Sequence, residues 1–122
     1  MKFENLDQLI KYANTMEVVK TYEVGPLHAN HSRAVYQIGA IQILIDTVFP
    51  RNWTKDSQEW YWTGHNMTKE LADTYAKKYN ANVEEAYYSD NEYQLIFHDL
   101  NDLLAWVFDN MKYELEIETK NN

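Results

Sequence analysis

In the last quarter of the chain, apolar residues recur every third or fourth position: Leu100, Leu103, Leu104, Val107, Phe108, Met111 and Leu115. That period places them on one face of a single long amphipathic helix running to about Glu118. Asp99 precedes it as an N-cap able to accept from the free amides of the first turn, and Asp102 sits where the helix dipole favours an anion. Upstream, residues 83–89 and 92–98 read as strands on either side of Asp90 and Asn91, two residues that tolerate the positive φ of a tight hairpin turn. A two-residue loop there puts Tyr93, Leu95 and Phe97 on the same sheet face as Ala86 and Tyr88, turned toward the helix.

Earlier in the chain, Asn5 caps a first helix whose inward stripe is Leu6, Leu9, Ile10 and Ala13, fraying near Met16. Residues 18–24 read as a strand ended by Gly25 and Pro26, and 27–32 as a polar loop. The run 33–48 supports two readings. As a helix it aligns Ala34, Ile38, Ile41, Ile45 and Val48. As a strand bulged at Gly39 and Ala40 it aligns Tyr36, Ile38, Ile41, Ile43 and Ile45. Its β-branched content favours the strand, and periodicity alone leaves the helix open. After Phe49 and Pro50 come a loop at 51–57 and a short strand at 58–63. Thr68 then caps a second helix with Leu71, Ala72, Tyr75 and Tyr79 inward, ending near Asn80 to Asn82. The order predicts an α+β fold: an antiparallel sheet with about three helices packed on one face, ending in a β-hairpin followed by a long amphipathic helix. Residues 1–118 are expected to form one domain, with a polar tail at 119–122.

Composition narrows the chemistry. The chain has 122 residues, 45% of them hydrophobic and 25% charged, as in ordinary globular proteins. It has no cysteine, which removes disulfides and thiolate zinc sites. The start, MKFENLDQLIKY, lacks the apolar core of a signal peptide, and no run reaches the ~20 apolar residues of a membrane span. A cytoplasmic protein is expected. No G-x-S-x-G elbow, Walker or Rossmann glycine pattern occurs, and only Gly25, Gly39 and Gly64 are glycines, so no enzyme activity is expected. His28 and His31 lack a fixed third ligand, so neither metal nor cofactor is expected.

Charge is unevenly placed. Residues 1–82 carry nine acids and nine bases; from 83 onward ten acids face Lys112 and Lys120, which yields the whole net charge of −8. Asp99, Asp102, Trp106, Asp109, Tyr113 and Glu116 step by three and four, which places them on one helix face opposite the leucines. Glu84, Glu85, Asp90 and Glu92 add to them from the hairpin. Aromatics among carboxylates suit a docking face for a basic protein, with Trp106 and Tyr113 as anchors, whereas direct binding to nucleic acid or membrane is not expected. The carboxylates partly imitate nucleic-acid phosphates. The small, acidic, cysteine-free composition, rich in Asn, Lys, Tyr and Ile, is similar to that of accessory proteins of AT-rich bacteria and their phages. Small acidic phage inhibitors of host nucleases, anti-CRISPR proteins included, share it. That resemblance implies an inhibitor of a basic nucleic-acid-processing protein. Two alternatives stand beside it. Trp53, Trp60 and Trp62 with His65 could hold a small planar or cationic ligand, or Trp106 could be hidden in a structural homo-oligomer.

Overall fold

The β-branched run at 33–48 folds as a hairpin. The computed structural model describes residues 2–16, 20–23, 31–48, 58–86 and 90–117. In it β2 (His31–Ile38) and β3 (Ile41–Val48) pair antiparallel, from Ile38 opposite Ile41 to His31 opposite Val48. That pairing replaces both the helix and the bulged single strand. Gly39, at φ +58, and Ala40 form the tight turn between the strands. A two-residue turn and a bulge give the same alternation, so Tyr36, Ile38, Ile41, Ile43 and Ile45 do share a face. Of these, Ile38, Ile41 and Ile43 are buried in the main core.

The fold is mixed α+β with antiparallel sheets. β1 (Lys20–Glu23) pairs with β2, and β4 (Gln58–Trp62) with β3, giving the order β1-β2-β3-β4. β5 (Asn82–Glu85) and β6 (Tyr93–Ile96) form a second, two-stranded sheet. Two reciprocal backbone pairs join the sheets: Tyr61 with Phe97 (2.8 and 2.9 Å) and Met67 with Tyr93 (2.8 Å each way). Between them the chain advances from 61 to 67 against only 97 to 93 on the other side, so residues 62–66 carry a two-residue excess. Gly64, at φ +76, lies in that excess.

The β5–β6 register differs from the one a two-residue loop dictates. Val83 faces Leu95, Glu85 faces Tyr93, and the Ala86 amide donates to the Glu92 carbonyl at 2.9 Å. The Asp90 and Asn91 pair remains in the turn, Asn91 at φ +64, but the connection is longer. A shift by an odd number of positions exchanges the two faces of a strand. Val83, not Ala86, therefore shares the face of Leu95 and packs against the core, and Tyr88 lies outside the described residues. Val83 is partly buried there, and Ala86, on the other strand face, is buried as well.

Four helices are present among the described residues. In α1 (Leu6–Ala13) the Asn5 side chain accepts from the Gln8 amide at 2.9 Å, and Leu9 and Ala13 are buried. α2 (Lys69–Tyr79) starts at Thr68, whose hydroxyl accepts from Leu71 N, and stops at Asn80 in the left-handed region, φ +58. Its core contacts run through Ala72, Tyr75, Ala76 and Tyr79; Leu71, expected inward, is off that arc and exposed. α3 (Leu100–Asn110) is capped by Asp99, as expected, with a 2.8 Å bond from Asn101 N.

The single long helix is not formed. Met111, at φ −130 and ψ 32, separates α3 from the short α4 (Lys112–Glu116). The break re-aims the chain so that Leu115 is buried and the carbonyl end of α4 meets the β2–β3 turn. There the Ala40 amide donates to the Glu114 carbonyl at 2.8 Å. A Cβ on Gly39 would lie 2.2 Å from the Leu115 carbonyl oxygen and 2.7 Å from that of Glu114. Only glycine fits, because both the positive φ and the close backbone contact exclude a side chain.

Two glycine variants separate these causes. Gly64→Ala meets only the backbone penalty, since its nearest neighbour, a Leu44 methyl, would be 3.8 Å away; it should cost about 1 kcal/mol in urea denaturation. Gly39→Ala adds displacement of α4 and should cost ~3 kcal/mol. Equal losses for the two would mean that the α4 contact is not restrictive.

Candidate functional site

The acidic residues of the C-terminal third divide into fastened and free groups. On α3, Asp109 accepts from the Tyr79 hydroxyl at 2.8 Å and Asp102 from the Asn80 side-chain amide at 3.3 Å. Asn110 adds bonds to the Tyr79 hydroxyl (3.4 Å) and to the Trp106 carbonyl (3.0 Å). The bonds to Tyr79 and from Asn80 pin α3 to the C-terminal end of α2. Glu116 lies beyond the Met111 break and is half-buried, so it does not continue the α3 row.

Trp106 is not on a polar face. It is 4% exposed and packs edge-on to Tyr75 (5.9 Å) and His65 (6.2 Å), with Phe97 at 6.4 Å. The expected leucine stripe is real but too narrow: Leu103, Leu104, Trp106 and Val107 are all buried because α3 meets α2 and β4 as well as α1. Trp106 therefore cannot anchor a partner, and its own chain covers it without help from a second copy. Its indole N–H is buried with no hydrogen-bond partner among the described residues. Tyr113, on α4, is 78% exposed.

The hairpin acids Glu84, Glu85, Asp90 and Glu92 are exposed, as is Asp99. Glu92 accepts from the Asn66 side-chain amide at 2.8 Å, and Asn66 in turn accepts from Gln94 at 2.7 Å. Asn82 meets the His98 ring at 2.9 Å, which holds the start of α3 beside β5. Among the described residues, ion pairs join Arg33 to Asp46 and Lys69 to Asp73; none involves Glu84, Glu85, Asp90, Glu92, Asp99, Asp102 or Asp109. Burial holds the His65 pKa below its ordinary 6.5, with the Glu114 charge opposing.

The tryptophans take the other side of the sheet. Trp60 stands opposite Asp46 and Trp62 opposite Leu44, so they share a face that Tyr61 does not, as strand alternation requires. Asp46 is 3% exposed and receives two bonds from Arg33, at 2.6 and 3.0 Å, while the guanidinium lies 4.8 Å over the Trp62 ring. Trp60 meets His98 edge-on at 6.5 Å. His65 turns instead to Trp106 and so does not join Trp60 and Trp62; Trp53 lies outside the described residues.

A pocket of about 330 Å³ opens on the Tyr61 side instead, between the end of α1, the start of α3 and strands β2 to β4. Tyr36, Ile45, Glu59 and Tyr61 are among its lining residues, and the Tyr61 hydroxyl donates to Glu59 Oε2. Burial first, then that bond and the Glu59 charge, raises the Tyr61 pKa above its ordinary 10, so the phenol keeps its proton. Strand alternation places Glu59 and Tyr61 together in the sequence; nothing local shows that the end of α1 frames them. Among the described residues no three His, Cys, Asp or Glu side chains are grouped to hold a metal ion, and no helix is long and apolar enough to cross a membrane. His28 and the His31 side chain lie outside the described residues.

Comparison with family models, curated proteins and solved structures returns no match.

Removing the Tyr79 hydroxyl tests whether Asp109 is structural. Tyr79→Phe should lower stability by about 1.5 kcal/mol in urea denaturation, the range for a bond to a charged acceptor. No loss would return Asp109 to the free surface.

Proposed function

We propose that this protein is a binding module for a basic protein, docking on the β5–β6 hairpin and the adjacent start of α3. The observation that carries this reading is the set of exposed carboxylates, Glu84, Glu85, Asp90, Glu92 and Asp99, with no Lys or Arg partner among the described residues. Uncompensated charge of one sign projects a field that speeds encounter with an oppositely charged partner and rejects like-charged ones. In this reading the helices lie on the core side of the sheet, which leaves the short outer strand β5 to the partner. Tyr113, exposed on α4, replaces Trp106 as the available aromatic anchor.

The class of partner follows from the charge. A protein that handles nucleic acid carries a basic surface matched to phosphates, and occupying it makes the module an inhibitor. The partial-mimicry idea takes a different shape from a long helical row of carboxylates. Asp102 and Asp109, seven residues and so about 10 Å apart, are the fastened pair, and the α3 axis ends at Met111. The hairpin carries the free charge.

Charge reversal must therefore avoid Asp99, Asp102, Asp109 and Glu92, which cap a helix or hold hydrogen bonds. The test variant is Glu84→Lys/Glu85→Lys/Asp90→Lys, with folding checked by circular dichroism. Wild type immobilised in a host lysate should retain basic proteins and release them at ~1 M salt, where the Debye length is about 3 Å. The triple variant should bind the captured protein at least ~10-fold more weakly. Equal capture by both, insensitive to salt, would exclude the hairpin as the docking surface.

A further inference from the structure

We propose that the pocket framed by α1, α3 and the Tyr61 face of the sheet binds a small alkylammonium ion, with Glu59 as counter-charge and Tyr36 and Tyr61 as its aromatic walls. No hairpin residue lines it, and it uses none of the carboxylates Glu84, Glu85, Asp90 and Glu92; the start of α3, with Asp99 and Leu100, borders both this pocket and the proposed docking surface.

The framework comes from the strand register. Ala34 faces Ile45 and Ile45 faces Tyr61, a row running across β2, β3 and β4. Tyr36 projects from the same face two residues along β2. Neighbouring strands lie about 4.8 Å apart, so backbones two strands apart are separated by about 10 Å. Ala34 is small and Ile45 apolar, so between the two tyrosines the floor is low. The end of α1, through Met16 and Asn14, and Leu100 at the start of α3 close the sides. The resulting volume, about 330 Å³, falls at the small end of ligand pockets, which begin at ~300 Å³.

The electrostatics select the ligand's charge. Glu59 supplies the lining carboxylate, and no Lys, Arg or His lines the pocket among the described residues. Asp99 is close enough to act on Tyr61 as well. Glu59 Oε2 is engaged by the Tyr61 hydroxyl, whereas Oε1 has no partner among the described residues and is open to a cation. That bond also orients the carboxylate without neutralising it, since the phenol keeps its proton. Aromatic ring faces attract cations, best where water is partly excluded, and the two tyrosines are half-buried. An anion would meet Glu59 and Asp99 unshielded. A neutral ligand of the same shape would gain the walls but not the carboxylate.

Choline is a suitable probe, with 3,3-dimethyl-1-butanol as its neutral carbon isostere. Binding to the full chain is measured by nuclear magnetic resonance titration. Choline should saturate with shifts centred on Ala34, Ile45, Tyr61 and Leu100, and the isostere should bind at least ~10-fold more weakly. Glu59→Gln keeps an acceptor for Tyr61 and sits at an exposed position, so it should fold; it should weaken choline at least ~10-fold. Tyr36→Leu should weaken it several-fold. The Glu84→Lys/Glu85→Lys/Asp90→Lys variant should retain choline, which separates this site from the docking surface. Equal affinity for choline and its isostere, shifts centred on the hairpin, or no saturable binding would each overturn the proposal.

Discussion

The contact between the β2–β3 turn and the carbonyl end of α4 is the constraint on which the rest of the structure depends. It joins the first hairpin to the last helix, elements about seventy-five residues apart, by one hydrogen bond from Ala40 to Glu114 and by backbone packing that leaves no room for a Cβ at Gly39. A short helix leaves its final carbonyls without intrahelical donors. The Glu114 carbonyl has only a long bond from the Ile117 amide at the C-cap, 3.4 Å; the turn amide adds one at 2.8 Å, and the Met111 break is what brings α4 to it. Leu115 is buried by the same movement, so polar satisfaction and apolar burial favour a single geometry.

A second coupling runs through β4. Tyr61 bonds to Phe97 through its backbone, faces Ile45 across the sheet, and carries the hydroxyl that orients Glu59. One residue thus links the two sheets and lines the pocket. The next connection, Met67 to Tyr93, comes only after the two-residue excess at 62–66. That excess carries His65 to the Trp106 side, while Trp60 and Trp62 remain on the opposite face with Arg33 and Asp46. The split explains why His65 does not join Trp60 and Trp62 on one face.

Local patterns in the sequence were readable where one strong preference decided them. Asn5, Thr68 and Asp99 cap the helices as their side chains require, and the alternation at 33–48 assigns the correct residues to the core face. Chain direction was not readable there, because a bulge and a two-residue turn at Gly39 leave the same alternation; the difference lies in Ala40 and Gly39 meeting α4. Trp106 was misplaced for a related reason. Its spacing from Asp102 and Asp109 is that of a polar face, but α3 has neighbours on three sides and buries a wider arc than its leucines mark. The pocket needed tertiary information throughout: Glu59 and Tyr61 are adjacent on a strand face, yet Met16 and Leu100 reach them only through the packing of α1 and α3.

The central claim is that the first hairpin and the C-terminal helices form one body closed at Gly39. Hydrogen exchange of the Ala40 amide tests it most directly. A closed contact predicts that this turn amide exchanges only on global unfolding, at the rate of core amides such as Ile43. Exchange as fast as that of a solvent-exposed turn, with Ile43 still protected, would contradict it.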